Sequence, residues 1–416
     1  MRVLVVGGGG REHAIVRKLS QSQRVEKIYC APGNAGIAQL AECIDIKFDN
    51  VKKLKEFALK NGIDLTVVGP EAPLVLGIVD EFEKVGLKIF GPKKEAAQIE
   101  GSKYFAKALL SKYGIPTARF KVFSEYKIAL KFLKETWYPV VIKVDGLTQG
   151  KGAFLVNSFT EAKEVFDNVM KKKIFGTAGD IIIIEEKLFG KEASVLAFTD
   201  GNVIVPMISA MDYKKIYEGD KGPNTGGMGS IAPNPYLDNK ISQEVVKKIL
   251  EPVINSLKKE GIVYRGVLYA GLMLTEEGPK VLEFNARFGD PETQVVLPLL
   301  KTDLIDVIEA TIDGTLDKIK VEWGNKKAVC VVVASQGYPG DYETGFEITG
   351  IDKIKDAFVY HAGTVLKDGK VLTSGGRVIA LTALGLTYEE ARNKVYEELR
   401  NISFKGMYFR KDIGAV

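Results

Sequence analysis

Residues Val281–Glu292, reading VLEFNARFGDPE, form the most informative stretch of this 416-residue chain. An apolar run predicts a strand, and Glu283, Asn285 and Arg287 then fall at every second residue, so their side chains share one face. Carboxylate and amide oxygens suit Mg²⁺, which binds through one or two protein groups together with nucleotide phosphates. An arginine fork can hold a carboxylate or a phosphate. The stretch therefore favours a phosphate-handling active site over a structural ion pair.

The composition indicates a soluble globular chain of several domains. Its residues are 46% hydrophobic and 27% charged, and the length predicts roughly two to three domains. The formal net charge of +5 is spread along the chain, without a block of like charge or a basic stretch interleaved with aromatic residues. This mild excess fits anionic substrates, although a solvated lysine-rich surface explains it equally well. Nucleic-acid binding is disfavoured.

Cysteine and histidine usage argues against several classes of site. The cysteines are scattered and include no CxxC pair: Cys30, Cys43 and Cys330. This pattern disfavours a disulfide framework or a thiolate metal site and favours a reducing cytoplasm. The two histidines, His13 and His361, lie far apart, so neither a zinc site nor a Ser-His-Asp hydrolase is indicated. The chain begins with a predicted strand rather than a signal peptide, and no apolar run is long enough for a bilayer, so we expect a cytoplasmic protein without a membrane partner.

The first hundred residues alternate between short apolar runs and amphipathic segments. Strands are predicted at Val3–Val6, Lys27–Cys30, Leu65–Val68 and Lys88–Phe90, and helices at Glu12–Ser20 and Val51–Lys60. Such alternation predicts a parallel α/β layer, in which ligands bind at the carboxyl ends of the strands. That rule places three turns along one rim: Gly7–Gly10, Gly33–Gly36 and Gly69–Glu71.

The opening glycines, Gly7–Gly10, are only a weak match to a dinucleotide-binding loop. The third glycine of GxGxxG would fall at Glu12, and the second strand ends in Ala31-Pro32 without an acidic residue for a ribose. Nicotinamide binding is therefore disfavoured. An anion site at the helix N-terminus and close strand–helix packing explain the glycines equally well.

The segment Tyr138–Gly152, reading YPVVIKVDGLTQGKG, carries a predicted strand ending in Lys143 and then a glycine-rich loop with Lys151. It is not a P-loop, because the glycine spacing is one residue short and Gly152 replaces the Ser or Thr that would bind Mg²⁺. A mobile loop laid over phosphates suits the segment, since glycines let the backbone approach and two lysines offset phosphate charge. An ordinary hairpin with surface lysines is an equal alternative.

Ile181–Glu192, reading IIIIEEKLFGKE, predicts a buried strand followed by carboxylates. One interpretation is a buried strand with exposed glutamates. The other is an adenosine site, in which backbone groups beside Lys187 and Leu188 meet adenine and Glu192 accepts ribose hydroxyls. The order of segments along the chain favours the adenosine site.

Asp220–Ser230, reading DKGPNTGGMGS, is predicted as a long glycine-rich loop. It is either an irregular surface loop or a functional one, and long structureless loops in compact domains are more often functional or disordered. Met228 within it is predicted to pack.

The predicted fold class is an α/β and α+β multidomain protein. Residues 1–101 form the N-terminal parallel α/β domain, and Ser102 caps the helix that opens the next domain. Residues 102–325 form an α+β core with a lid subdomain at about 118–190. Residues 326–416 form a small α+β domain with a hairpin that turns at Asp368-Gly369.

The segment order resembles the ATP-grasp superfamily: a lysine strand, a glycine lid, an apolar strand with carboxylates, and then ExN. Within it the chain resembles the phosphoribosylamine–glycine ligases, also called glycinamide ribonucleotide synthetases. The likeness covers nearly the whole chain, through GGGGREHA at Gly7–Ala14, APGNAG at Ala31–Gly36, VGPEAPLV at Val68–Val75, IFGP at Ile89–Pro92, EGSK at Glu100–Lys103, GPNTGGMG at Gly222–Gly229, LEFNARFGDPETQ at Leu282–Gln294, GYPGDY at Gly337–Tyr342, HAGT at His361–Thr364 and RKDIG at Arg410–Gly414. GPNTGGMG and FNARFGDPE are highly specific, whereas the opening glycines are not.

This resemblance implies an N-terminal α/β domain, an ATP-grasp core with a mobile lid, and a C-terminal domain that completes the substrate side. It implies ATP-dependent ligation of glycine to 5-phosphoribosylamine, giving glycinamide ribonucleotide, ADP and phosphate through glycyl phosphate in de novo purine biosynthesis. The implied cofactors are ATP as co-substrate and Mg²⁺ or Mn²⁺. The expected partners are small-molecule substrates, and we expect a monomer.

The resemblance also implies four overlapping sets of site residues. ATP would be held by Lys103, Lys143, Gly150, Lys151, Gly152, Glu185, Glu186, Lys187, Leu188 and Glu192. The divalent metal would be held by Glu283 and Asn285. The substrates would lie near Asp212, Lys215, Asn224, Thr225, Gly226, Gly227, Met228, Arg287, Asp290 and Pro291. The catalytic residues would be Lys143, Arg287 and Asp212.

Two departures from the family pattern affect these expectations. The family often has DHKR where this chain has Asp212-Tyr213-Lys214-Lys215, so Lys215 stands for an arginine that it imitates imperfectly. Many ATP-grasp enzymes have a carboxylate one strand before ExN, but Gly266–Leu274 contains none, which leaves the number of metal ligands open. The alternatives are another ATP-grasp carboxylate–amine ligase, a nicotinamide-dependent oxidoreductase and a non-catalytic nucleotide-binding regulator.

Overall fold

The computed structural model describes residues 1–148 and 151–416 and begins with a parallel sheet. Its strands are β1 Arg2–Gly7, β2 Lys27–Pro32, β3 Glu42–Cys43, β4 Leu65–Val68 and β5 Ile89–Phe90. The helices are α1 Gly10–Leu19, α2 Val51–Lys60, α3 Glu71–Leu76, α4 Ile78–Glu83 and α5 Lys94–Gly101. The strand order is β3-β2-β1-β4-β5, and every pairing is parallel, so the predicted N-terminal α/β layer is confirmed.

The next segment forms a helix and a small antiparallel sheet, here called the lid sheet. The helix is α6 Lys103–Lys112, whose first turn is capped by Ser102 Oγ accepting from the Phe105 N–H at 3.0 Å, as predicted. The strands are β6 Phe120–Phe123, β7 Val140–Val144, β8 Ala153–Val156 and β9 Ile182–Glu186, in the order β6-β9-β7-β8. Helices α7 Tyr126–Lys134 and α8 Phe159–Phe166 pack on the sheet, and a π-helical segment, Asp167–Lys171, continues α8.

The central sheet contains the strand that carries Glu283 and Asn285. Its order is β11-β10-β16-β17, all antiparallel. The strands are β10 Lys191–Thr199, β11 Ile204–Pro206, β16 Gly266–Thr275 and β17 Gly278–Asn285. The chain between β11 and β16 forms β12 Met211–Asp212, β13 Lys215–Tyr217, β14 Lys221–Asn224, β15 Gly229–Ala232, α9 Asn239–Val245 and α10 Glu251–Lys259. Two helices follow β17: α11 Thr293–Val296 and α12 Leu304–Asp313.

The last sheet joins the C-terminal residues to the middle of the chain. The remaining elements are β18 Lys327–Ser335, β19 Phe358–His361, β20 Thr364–Lys367, β21 Lys370–Thr373, β22 Arg377–Gly385, α13 Tyr388–Leu399 and β23 Met407–Tyr408. The sheet order is β12-β15-β18-β22-β19, with β23 also on β18. Two strands that precede residue 326 in sequence therefore belong to the C-terminal sheet. The predicted hairpin turn at Asp368-Gly369 is confirmed between β20 and β21.

The expectation of a long loop at Asp220–Ser230 was wrong for most of that segment. Residues Lys221–Asn224 pair with β13, and the segment from Gly229 onward pairs with β12 and β18. Tertiary pairing overrides the weak strand propensity of these glycine-rich sequences, which spacing alone does not reveal. The residues between the two strands form a short turn.

The hydrophobic cores run across the domains. One cluster combines the N-terminal layer with α6, α10 and the central sheet, through residues such as Ile99, Leu110, Val253, Leu268 and Phe284. A second combines the other face of the N-terminal sheet with α12 and β18. None of the helices formed by the described residues has the length and apolar character that a membrane span requires.

Candidate active site

Lys143 connects the lid sheet to the central sheet. It lies on β7, and its Nζ donates a 2.7 Å hydrogen bond to the carbonyl oxygen of Leu282 on β17. The same Nζ lies 3.0 Å from Glu185 Oε2, and both side chains are buried. Because Leu282 precedes Glu283, the structure brings the predicted lysine strand and the predicted acidic strand to one cleft.

Several positive charges surround Glu283. The Nζ of Lys214 lies 3.9 Å from Glu283 Oε1, and Lys103 donates from Nζ to the Gly146 carbonyl oxygen at 2.9 Å. Burial opposes ionisation of Glu283, but the charges of Lys214, Lys143 and Lys103 outweigh it and hold the pKa of this carboxyl below its ordinary value. The cleft therefore combines an ionised carboxylate with lysines able to face phosphates.

The lysine beside this carboxylate is Lys214, and the predicted substrate residue was its neighbour Lys215. Lys214 Nζ also lies 3.4 Å from Glu192 Oε2. Burial lowers the pKa of Lys214, but the charges of Glu192 and Glu283 outweigh burial and raise that pKa well above its ordinary value. Lys215 pairs with Asn224, and its carbonyl oxygen accepts from Arg410 at 2.9 Å. A signal for Lys214 was available in the sequence, since it lies two residues after Asp212 on an extended segment.

Asp212 lines a small pocket between the central and C-terminal sheets. Its Oδ1 is buried, and no donor among residues 1–148 and 151–416 lies within hydrogen-bond distance of that atom. Burial, together with the nearby charge of Glu292, raises the pKa of Asp212 well above its usual range. The pocket is lined by Glu192, Ala193, Ser194, Asp212, Lys214, Gly271, Leu272 and Leu282.

Glu292 is held in place beside this pocket. Its Oε1 accepts from the Tyr269 hydroxyl at 2.5 Å and from Ser194 Oγ at 3.2 Å. The side chain is buried. Asp212 thus faces this pocket, and Glu292 lies behind Ser194, one of the residues that line it. A cation such as an ammonium group bound there would favour the ionised form of Asp212.

Glu283 and Asn285 fit a metal that is bound mainly by phosphates. Asn285 Oδ1 accepts from Arg287 Nη2 at 3.0 Å, and the strand opposite places Gly271 against Glu283 and Tyr269 against Asn285. Among the described residues, no group of three or more His, Cys, Asp or Glu side chains could hold a metal ion by itself. Mg²⁺ needs only one or two protein oxygens when phosphates and water supply the rest, so these donors suit a metal–nucleotide complex.

Arg287 joins the central sheet to the N-terminal domain. Its Nε donates to Glu71 Oε2 at 3.1 Å, and its Nη2 lies 2.9 Å from Glu100 Oε1. The Ala286 N–H donates to Glu100 Oε2 at 2.6 Å. Burial raises the pKa of Glu100 to about 7, although Arg287 opposes the shift. The arginine predicted to hold a substrate is thus held by two carboxylates that sequence reasoning did not single out.

Arg377, from β22, fixes the substrate loops predicted at Gly226–Gly227 and Asp290-Pro291. Its Nη1 donates to the carbonyl oxygens of Gly226 at 2.5 Å and Asp290 at 2.8 Å, and its Nη2 lies 3.2 Å from Asp290 Oδ2. Gly227 has φ +109°, and a Cβ there would lie 2.4 Å from Pro291 Cδ and 2.6 Å from Asp212 Oδ1. Only glycine allows this approach.

The other predicted residues of this loop have separate roles. Thr225 Oγ1 donates to the Lys214 carbonyl oxygen at 2.8 Å and accepts from the Gly227 N–H at 2.9 Å, so it shapes the turn. Met228 is fully buried and packs with Ile216, as predicted. Asn224 is exposed at the end of β14.

The predicted adenosine residues lie at the end of β9, just after it, and at the start of β10. Glu186 accepts from Arg119 Nε at 2.7 Å and from the Arg119 N–H at 2.9 Å. Lys187 Nζ lies 4.8 Å from the centre of the Phe189 ring, and Leu188 is half-buried beside it. Glu192 faces Lys214, as described above.

The predicted glycine lid is described only in part. Gly150 lies outside the described residues. Lys151 is exposed, and its N–H donates to the Thr148 carbonyl oxygen at 3.0 Å. Gly152 is buried, and its carbonyl oxygen accepts from the Val144 N–H at 2.8 Å.

The opening glycine loop is occupied by a side chain of the protein itself. Glu12 Oε2 accepts from the Gly9 N–H at 2.6 Å, and its Oε1 lies 2.6 Å from Arg11 Nε. A Cβ at Gly69 would lie 2.0 Å from Glu12 Oε1. Glu12 thus fills the N-terminus of α1 where a dinucleotide phosphate would bind, which favours the packing interpretation of these glycines.

Models of known protein families match most of the chain. Three family models match in order: phosphoribosylglycinamide synthetase N domain at residues 1–100, its ATP-grasp (A) domain at 101–293, and its C domain at 328–416. The chain belongs to the phosphoribosylglycinamide synthetase family. The ATP-grasp fold and the ligase class are therefore confirmed.

Relatives in this family cover the full chain. A phosphoribosylamine–glycine ligase of Caldanaerobacter subterraneus subsp. tengcongensis is 69% identical over 415 residues, which is 100% of both chains. The crystal structure of phosphoribosylamine–glycine ligase from Thermotoga maritima has a TM-score of 0.87 at 35% identity and covers 99% of this chain and 100% of its own. A biotin carboxylase domain from Hydrogenobacter thermophilus shares the fold at 16% identity, with a TM-score of 0.75 over 98% of this chain and 91% of its own.

Proposed function

We propose that this phosphoribosylglycinamide synthetase family member ligates glycine to 5-phosphoribosylamine with ATP in de novo purine biosynthesis. The products would be glycinamide ribonucleotide, ADP and phosphate. The observation that carries the proposal is the convergence of Lys103, Lys143 and Lys214 on Glu283, from three separate segments of the chain. Full-length similarity to phosphoribosylamine–glycine ligases supports the choice of substrates.

The first step would activate glycine. Its carboxylate is a poor electrophile because the negative charge repels an attacking amine. A carboxylate oxygen would attack the γ-phosphorus of ATP, and ADP would leave, giving glycyl phosphate. Lys103, Lys143 and Lys214 would offset the negative charge of the reacting groups, so catalysis would consist of positioning and charge neutralisation. Glu283 and Asn285 would hold Mg²⁺ or Mn²⁺, and a divalent cation there would neutralise negative charge that develops during phosphoryl transfer.

The second step would form the amide. The amine of phosphoribosylamine would attack the carbonyl carbon of glycyl phosphate, phosphate would leave, and the proton lost by the nitrogen would pass to the departing phosphate. Asp212 would hold the ammonium group of glycine, because its buried Oδ1 has no hydrogen-bond partner among the described residues. Glu292 would add negative charge from behind Ser194. The lid sheet would keep water away from the acyl phosphate, since Lys143 attaches it to β17.

We also propose that the enzyme acts as a monomer in the cytoplasm. One chain supplies the lid lysine Lys143, the N-terminal carboxylates Glu71 and Glu100, and the C-terminal Arg377. These contacts within one chain support a site that needs no second copy. Light scattering of the purified protein at assay concentration tests this, and activity confined to a dimer would overturn it.

A coupled ADP assay with glycine and freshly prepared phosphoribosylamine tests the function. ADP formation should need both substrates, and omission of either should abolish it. Turnover with a different amino acid or a different amine would indicate another ATP-grasp ligase. ATP binding without ADP formation under any combination would indicate a nucleotide-binding regulator.

A further inference from the structure

Lys107 is a buried lysine that neither the motifs nor the proposed mechanism accounts for. It lies one helical turn after Lys103 on α6, so both side chains share a face of the helix. Lys107 is 3% exposed, and its Nζ donates to Thr117 Oγ1 at 2.7 Å. The same Nζ lies 5.5 Å from the centre of the Phe120 ring. A buried ammonium group is costly unless a partner compensates it.

The compensating partner is Glu185, which Lys107 shares with Lys143. Lys107 Nζ lies 3.0 Å from Glu185 Oε1, and Lys143 Nζ lies 3.0 Å from Glu185 Oε2. Glu185 itself is 2% exposed. One buried carboxylate therefore forms ion pairs with two ammonium groups, one near each oxygen, and the group of three carries a net positive charge.

The two lysines differ in what else they contact. Lys107 faces the interior, where Thr117 Oγ1 in turn donates to the Val281 carbonyl oxygen at 2.7 Å. Lys143 faces the cleft, where it meets the Leu282 carbonyl oxygen. Burial lowers the pKa of Lys107 to about 8, while the charge of Glu185 opposes that shift. Lys107 thus pairs with Glu185 on the interior side, and Lys143 is the lysine that lies next to the strand carrying Glu283.

We propose that Lys107 is a positioning residue for ATP binding. By occupying one oxygen of Glu185, it lets that carboxylate hold Lys143 beside β17 without neutralising it, so one positive charge remains for the triphosphate. Without Lys107, Glu185 and Lys143 would form a closed, neutral pair. The inference rests on the proposed ATP site and adds the residues that keep its lysine charged and placed.

A double-mutant cycle tests this role through MgATP binding alone, measured by isothermal titration calorimetry without glycine or phosphoribosylamine. Lys107→Met should weaken binding about tenfold, because Lys143 is then neutralised by Glu185. Glu185 was predicted to hold ATP, but it is buried between the two lysines, so it would act on ATP through Lys143 rather than by contact. Adding Glu185→Gln to Lys107→Met removes the neutralising charge, so the double variant should return to within about threefold of the wild type. Lys112→Met is the matched control, since Lys112 lies on the same helix but pairs with Glu260 at the surface.

The outcomes separate positioning from simple structural support. If Lys107 were only structural, the second substitution would add its own loss of ATP affinity to that of the first. A double variant that binds ATP at least as weakly as Lys107→Met would therefore overturn the inference. If Lys107→Met does not fold, Lys107→Arg, which keeps the charge on Glu185, should bind ATP within about threefold of the wild type. A folded Lys107→Arg that binds tenfold more weakly also overturns it. Wild-type protein that fails to bind MgATP would refute the proposed function itself.

Discussion

The side chain of Lys143 is hydrogen-bonded to the main chain of Leu282, across 139 positions of sequence. The lid lysine is therefore fixed by the same strand that carries Glu283, one residue further on. This contact fixes the distance between the charge that would face phosphate and the carboxylate that would face a metal. Such fixed charges stabilise a transferring phosphoryl group without reorganisation during the reaction.

Lys143→Ala should lower kcat/KM by about 10²–10³, because a preorganised charge in a buried cleft is lost. The measurement is the steady-state rate of ADP formation. Lys163→Ala is the matched control in the lid, since Lys163 forms a surface ion pair with Asp167 that has little energetic weight. If Lys143→Ala formed ADP at the wild-type rate, Lys143 would not be part of the active site.

Arg287→Ala should reduce stability as well as activity. The substitution leaves Glu71 and Glu100 without their cation, and breaking a buried ion pair from one side costs about 3–5 kcal/mol. Activity should also fall by about 10²–10³, because a preorganised positive charge of the candidate site is lost. Urea denaturation and the ADP assay measure the two effects separately.

The control for this prediction is Arg24→Ala. Arg24 also contacts two carboxylates of a distant segment, Asp306 and Glu309, but the arginine is at the surface. Its loss should cost only about 0–1 kcal/mol. Equal stability losses in the two variants would contradict the assignment of Arg287 as a buried domain connector.

Glu283→Gln should raise the Mg²⁺ or Mn²⁺ concentration needed for half-maximal activity by at least about tenfold, because an amide is a weaker ligand than a carboxylate. Metal titrations after chelation measure the change. Glu277→Gln, at the exposed end of the same hairpin where Glu277 pairs with Lys280, should leave the titration unchanged. Full activity of the wild type after complete metal removal would refute a metal role for Glu283.

The sequence predicted local features well, because local spacing determines them. Alternation along one strand placed Glu283 and Asn285 together, and Ser102 marked the start of α6. Strand–helix alternation also predicted the parallel N-terminal sheet. The lysine strand could be assigned by its place in the order of segments.

Long-range pairing could not be read from spacing. Arg287 was predicted to meet a substrate, and its partners Glu71 and Glu100 lie more than 180 residues away in sequence, in another domain. No sequence motif singles out Lys107, and its partner Glu185 belongs to another element of the fold, 3.0 Å from its Nζ. Sequence distance carries no information about which buried charges meet, since tertiary packing decides their partners.

The contact between the N-terminal and C-terminal domains should weaken in mild acid. The His361 N–H donates to His13 Nδ1 at 2.8 Å, so that nitrogen must be unprotonated, and the His361 ring nitrogen Nδ1 lies 3.1 Å from Thr364 Oγ1. Burial lowers the pKa of His13 to about 3, helped by the charges of His361 and Arg17, and lowers the pKa of His361 to about 4. The interface is built for two neutral imidazoles.

The direction of the pH effect follows from these lowered pKa values. Below the ordinary histidine pKa of about 6.5, the unfolded chain takes up protons that the folded chain excludes, so stability falls as the pH falls towards 4. Each histidine should cost roughly 2 kcal/mol between pH 7 and pH 5. In His13→Asn, the new side chain can still accept a hydrogen bond near the position of Nδ1, but it does not titrate. The thermal unfolding midpoint of this variant should therefore fall less than that of the wild type over the same pH range. Thermal unfolding of both proteins across this pH range measures the effect. If the unfolding midpoints of wild type and His13→Asn change in parallel, the contact does not respond to pH.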